Sequence, residues 1–274
     1  ELGLSDGTAV RPKIVIEACG AVCRAIGCKT LTSRRPNGAT LVYRVACGSE
    51  DRTREECDAE PNCWWGSFPS VFASRFPNGE IAINMLPTMS GDEALSLGRE
   101  AAYAECRRRV FAHWAWLKRR WPAFASWHIK EVCREVAYRE TFRIEGEYVL
   151  TGSDVVNGVR PSDEIAVADH ALDSHGGDGF GGELKAPYGI PYRCLLPKGT
   201  SDVLIAGRCA SFDDRAASSC RLSRTMMKLG EAAGRAAHES ISRGISLRAC
   251  RPSSVSFEVG KPACEFRKNR NYAK

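Results

Sequence analysis

The sequence predicts an α/β protein. Three observations carry this: an apolar run closed by glycine and followed by a long helical pattern near the C-terminus, a similar strand-and-glycine turn near the N-terminus, and strands around one long helix between them. The C-terminal run, residues 203–206 (Val-Leu-Ile-Ala), turns at Gly207-Arg208 and reads as a buried strand stopped by glycine. A small polar loop follows. After Ser218-Ser219 a helix is predicted, with Leu222, Met226, Leu229, Ala233, Ala236 or Ala237, and Ile241 near one face and Gly244 at its end. Gly230 and Gly234 sit among Ala232, Ala233, Ala236 and Ala237, so this backbone can come close to a flat or bulky group. The free N–H groups at its start, beside Arg221 and Arg224, suit an anion. Close helix-to-sheet packing with exposed arginines explains the same residues.

From the N-terminus, residues 13–17 read as a strand and Cys19-Gly20 as its exit turn. Residues 40–45 form a second strand, residues 52–77 an irregular aromatic-rich stretch, and Ile81 with Ile83 a short strand. From Ser90 a helix is predicted, with Asp92 and Glu93 in its first turn. Its inner positions are Leu97, Ala101, Ala104, Val110, Trp114 and Leu117, and Pro122 ends it. Its arginine clusters read as solvated faces, and Trp114, Trp116, Trp121 and Trp127 as core. Residues 137–149 read as extended, which would point Arg139 and Arg143 to one face, where two guanidiniums could grip a substrate carboxylate. A structural ion pair with Glu140 is the competing reading. Residues 151–154 form a loop and helix cap, residues 163–172 a short helix, and residues 188–196 a strand returning to the C-terminal element. The string Gly-Asp-Gly-Phe-Gly-Gly at 177–182 matches GxGxxG formally. No apolar strand precedes it and prolines follow, so it reads as a flexible loop.

Composition narrows the field. The chain has 274 residues, 43% hydrophobic and 26% charged, as in ordinary soluble domains, enough for one or two of them. No apolar run reaches the roughly 20 residues of a membrane span. Residues 248–274 hold seven Lys or Arg against two Glu, so most of the net charge of +6 is local to this tail. The tail reads as solvated, not as a nucleic-acid site. Thirteen cysteines in a chain of this length, without a visible signal, predict reduced thiols and a cytoplasmic location. Cys19, Cys23 and Cys28 lack CxxC spacing, as do Cys57 and Cys63, so no metal site is expected.

Residues 190–237, beginning Ile-Pro-Tyr-Arg-Cys-Leu-Leu-Pro, closely resemble the C-terminal flavin-contacting segment of FAD-dependent oxidoreductases distantly related to fumarate reductase flavoproteins. Residues 137–155 resemble that family's Arg-Glu-Thr-x-Arg-Ile-x-Gly-Glu-Tyr signature. Ile-Val-Ile-Glu-Ala-Cys-Gly at 14–20 resembles its Ile-Asp-Ala-Thr-Gly turn, with Glu17 and Cys19 in place of Asp and Thr. The likeness covers about residues 13–240. It implies an incomplete FAD/NAD(P)-binding, Rossmann-like flavoprotein fold with an α+β substrate domain. Residues 1–36 would be a remnant of the FAD-binding domain, 37–195 the substrate domain, 196–244 the returning strand and helix, and 245–274 a basic tail.

The resemblance implies FAD as cofactor, a small-molecule substrate and hydride transfer to flavin N5. Gly20, Gly207, Arg208, Arg221, Gly230, Ala232 and Ala233 would lie on the cofactor side. Arg139, Arg143 and His175, the last in an Asp-x-His at 173–175, would lie on the substrate side, with the histidine moving a proton. The family's strand-linked GxGxxG and its ribose-binding acid are missing. The chain alone is therefore expected to bind FAD weakly, as a truncated gene or one half of a split enzyme whose partner chain supplies GxGxxG. The alternative is an inactive remnant serving as a binding scaffold.

Overall fold

The computed structural model describes residues 1–33, 36–47, 71–85, 88–120, 124–139, 142–173 and 181–252. In chain order the elements begin with β1 (Leu2–Gly3), β2 (Ala9–Val10), β3 (Val15–Glu17), α1 (Ala21–Ala25), β4 (Thr30–Leu31) and β5 (Tyr43–Cys47). Next come β6 (Val71–Arg75), β7 (Ile81–Met85), α2 (Gly91–Leu97), α3 (Arg99–Arg120), β8 (Trp127–Val132), β9 (Arg143–Ile144) and α4 (Gly152–Asn157). The last group is β10 (Glu164–Ala168), β11 (Leu172–Asp173), β12 (Gly181–Gly182), β13 (Tyr188–Pro191), β14 (Val203–Ile205), α5 (Asp214–Cys220) and α6 (Ser223–Arg243), with short 3-10 turns at Tyr192–Leu195, Gly207–Cys209 and Leu247–Ala249.

The chain divides into two units. The first comprises Glu1–Leu31, Arg143–Ala171 and Glu183–Lys274, and the second Thr32–Phe142 and Leu172–Gly182. The first unit thus takes in residues 143–171 and 183–195 from the region expected to form the substrate domain.

In the first unit β14 runs parallel to β3, with Val203 opposite Val15 and Ile205 opposite Glu17. Leu204 and Ile205 are fully buried, as the apolar run requires. α6 packs through Thr225, Leu229, Ala232, Ala233 and Ala236. Ile241, expected on that face, is 50% exposed because the last turns of α6 run past the core. Three expectations fail here. Residues 163–172 contain a strand, β10, paired antiparallel with β13, because Ile165 and Val167 suit a ladder better than a helix. The polar loop before Ser218 is largely the helix α5, started by Asp213, whose Oδ1 accepts from Ala216 N at 2.7 Å. α6 therefore starts at Ser223, after a break at Arg221-Leu222. The strand read at 188–196 also stops early, since Pro191 offers no ladder donor and the chain tightens into a 3-10 turn.

The second unit is a four-stranded antiparallel sheet, ordered β6-β7-β5-β8, covered by α3. α3 buries Ala102, Cys106, Val110, Trp114 and Leu117. Ala101 and Ala104, read as inner positions, are exposed, as is Leu97. Gly98, at φ 76°, breaks the predicted single helix into α2 and α3 and resets the phase of the buried stripe. Trp114 and Trp127 are core residues, whereas Trp116 is 41% exposed and stacks on His113. Trp121, Cys57 and Cys63 lie outside the described residues.

Candidate functional site

Because β3 and β14 are parallel, their C-terminal ends open on one edge, the place where open α/β sheets bind ligands. Both strands leave through glycines that only a residue without Cβ adopts easily, Gly20 at φ 80° and Gly207 at φ 74°. The two exits are neighbours: a Cβ built on Gly207 would stand 3.6 Å from the Ala18 carbonyl oxygen. Arg208 is exposed on the turn beyond Gly207, and its guanidinium has no partner among the described residues. The same turn packs against α6.

Glu17 closes the floor of this corner. Its Oε1 accepts from the backbone N–H of Cys19 at 3.0 Å and of Gly20 at 2.8 Å, and from the Cys19 thiol at 2.9 Å; its Oε2 accepts from Val22 N–H at 2.6 Å. Burial raises the carboxyl pKa, but these donors outweigh it and hold the group below its ordinary value. Two of the donors at the start of α1, the N–H groups of Gly20 and Val22, are thus spent on the chain's own carboxylate. Nearby, burial and the adjacent Cys28 push the Cys23 thiol up to about 12, and burial takes Cys209 to about 12.

On α6 the small residues divide between two faces. Gly230 and Gly234 are exposed, with no atom within 4 Å of a Cβ built on either. Ala232 and Ala233 are fully buried in the protein's own core. Among the expected cofactor-side residues, Gly20, Gly207 and Arg208 therefore share the strand-end corner and Gly230 lies on the open face of α6, while the two alanines pack beneath it. Arg221 lies in the turn before α6, not in its first turn.

The expected substrate-side residues fall in different units. Arg143 is 1% exposed and belongs to the first unit; its Nε donates to the Phe212 carbonyl at 2.7 Å and its Nη2 pairs with Asp214. Arg139 belongs to the second unit, where its Nη1 donates to the Gly38 carbonyl and, at 2.8 Å, to Thr40 Oγ1. His175 and Glu140 lie outside the described residues. Within the described part of the 137–149 segment, β9 pairs with β4, and Ala137 and Gly146 form single bridges to Thr40 and Pro197.

The signature region contains residues whose structural load sequence reasoning missed. Glu145, 9% exposed, accepts from Lys29 and Lys198, each at 2.6 Å, and the two lysines hold its pKa low. A Cβ on Gly146 would stand 3.0 Å from the Arg193 carbonyl oxygen and from Ser211 Cβ, so a side chain there would force its neighbours to shift. Asp213 caps α5 and also accepts Gly152 N–H at 2.8 Å. Only this last had a local signal, an acid just ahead of a helix.

A family model described as FAD dependent oxidoreductase matches residues 24–258. The chain belongs to that family. Comparison with curated proteins and with solved structures returned no match. Membership implies a FAD-binding fold, FAD as cofactor and oxidoreductase function. At Gly207 of the glycine corner, and separately at the open glycines of α6, no side chain comes within 4 Å of a built Cβ, which leaves room for a flat aromatic group. At α1, Glu17 already takes the Gly20 and Val22 N–H donors, which disfavours an anion there. No described helix is long and apolar enough to cross a membrane.

Proposed function

We propose that the chain forms the ring-side part of a FAD-dependent oxidoreductase of the kind distantly related to fumarate reductase flavoproteins, acting on a small organic substrate. The observation that carries this is the pair of neighbouring glycine exits at the ends of β3 and β14, on a turn that packs against α6. Gly20, Gly207, Arg208 and Gly230 would hold the flavin ring, and Arg208 would offer positive charge beside it. Ala232 and Ala233 act from beneath, setting the height of α6 on its core. FAD, when bound, supplies the ring that accepts hydride. Arg143 keeps the start of α5 in place through Phe212 and Asp214. Arg139 and His175 are the residues for the substrate, the histidine taking the proton.

The pyrophosphate cradle, a strand-linked GxGxxG, would come from a segment outside these 274 residues, which a separately supplied chain can replace. β3 and β14 form a sheet of two parallel strands, whereas such strands normally sit inside larger, doubly covered sheets, and Ile16 of β3 is 43% exposed. The second reading, a binding scaffold without catalysis, draws on Glu17, which fills its own helix start.

Quenching of flavin fluorescence on titration with FAD, alone and with a GxGxxG-containing chain, tests the proposal. Weak binding alone, tight binding in the mixture and loss of both in Gly230→Leu support the split enzyme. Stable folding with no flavin binding in either setting supports the scaffold. Tight stoichiometric binding by the chain alone would overturn the need for a partner.

A further inference from the structure

Away from the strand-end corner, the first unit has a cleft of about 700 Å³ lined by Arg160, Arg193, Arg248 and Arg251 over a floor of Tyr192 and Leu196. Three carboxylates also line it, and each is already engaged. Arg160 grips Glu164 through Nε and Nη2 at 2.6 and 2.5 Å, Arg193 grips Asp163 through the same pair of nitrogens at 2.9 and 3.1 Å, and Arg248 Nε pairs with Glu147. These forks fix the guanidinium planes, and Arg193 is further held over the Tyr148 ring at 4.9 Å. Arg251 is different. Its Nη1 donates to the carbonyls of Arg248 and Cys250, each at 2.9 Å, and no carboxylate among the described residues reaches its guanidinium. The lining therefore carries four cations against three anions, with N–H groups on all four arginines that have no partner among the described residues.

We infer that this cleft binds a small organic phosphate of mononucleotide size. Arginine forks match the several acceptor oxygens of a phosphate. The Arg251 guanidinium supplies the uncompensated charge, and the volume lies within the roughly 300–1,000 Å³ typical of small-molecule sites. The buried Tyr192 and Leu196 offer an apolar floor for the organic part. This site is independent of the flavin reading and shares none of its residues.

Isothermal titration of the full chain with UMP tests the inference, because this nucleotide is no fragment of FAD. UMP is expected to bind with an affinity that falls as salt rises, uridine not to bind, and Arg251→Gln to lose about tenfold or more in affinity at unchanged thermal stability. Absence of UMP binding, equal binding of uridine, or full affinity in Arg251→Gln overturns it. Arg251→Lys, which keeps the charge and loses the fork, should bind between the two.

Discussion

Glu17 is the residue on which the corner's chemistry turns. Its carboxylate reaches past Cys19 and Gly20 to Val22, and so occupies part of the helix start where an external anion could otherwise bind. Replacing it with Gln should cost about 1–2 kcal/mol at neutral pH, since charge-assisted acceptance is lost while the shape is kept. The sign of the pH dependence follows from the direction of the shift. The folded-state pKa lies below the ordinary 4.5, so the stabilisation is complete above that value and is lost as pH falls through the folded-state pKa. The urea midpoints of wild type and Glu17→Gln should therefore differ at pH 7 and converge as acidification passes through the lowered folded-state pKa. A gap that persists in acid would mean that packing, not charge, is what Glu17 contributes. Arg143 teaches a related lesson: a signature arginine with strand-like spacing proves to be a buried clamp on the Phe212 carbonyl and Asp214.

At the scale of elements, α6 carries the reading. Its glycines cost helix stability and, with open space around them, gain nothing from the protein's own packing. Gly234→Ala and Gly230→Ala should each raise stability by about 0.5–1 kcal/mol, seen as a higher Tm. If the face serves a flat cofactor, Gly230→Ala should also weaken flavin binding by the reconstituted protein. A variant that is stabilised and unchanged toward flavin would reduce the stripe to a neutral surface. The break of the predicted long helix at Gly98 shows how one positive-φ residue moves a buried stripe by a position.

For the molecule as a whole, the cysteines give a test that spans both units. Cys19 and Cys133 are exposed, whereas Cys23, Cys106, Cys194, Cys209 and Cys220 are buried, with burial raising the thiol pKa of each. Since the thiolate is the reactive form, iodoacetamide at pH 8 should label Cys19 and Cys133 in the native protein and spare these five until unfolding. Peptide mass spectrometry reads this directly, and early labelling of Cys194 or Cys220 would contradict the packing of the first unit. The second unit shows how far local pattern reaches: alternation found β7 and most of β5, and the spacing of Val110, Trp114 and Leu117 found the inner face of α3.

By itself the sequence determined the strand and glycine turn at both ends, the long helix after the second, the caps at Ser90 and Thr151, and the family, because these rest on local periodicity, turn chemistry and motif strings. Tertiary structure alone decided that Gly230 faces outward while Ala232 and Ala233 face inward, since small residues carry too little hydrophobic contrast to mark a face. It decided that residues 164–168 pair as a strand, a choice that a short apolar run leaves open until a partner such as β13 is present. It also decided the fate of Glu17 and Arg143, whose partners depend on how the backbone turns and on contacts far along the chain, where no spacing rule reaches.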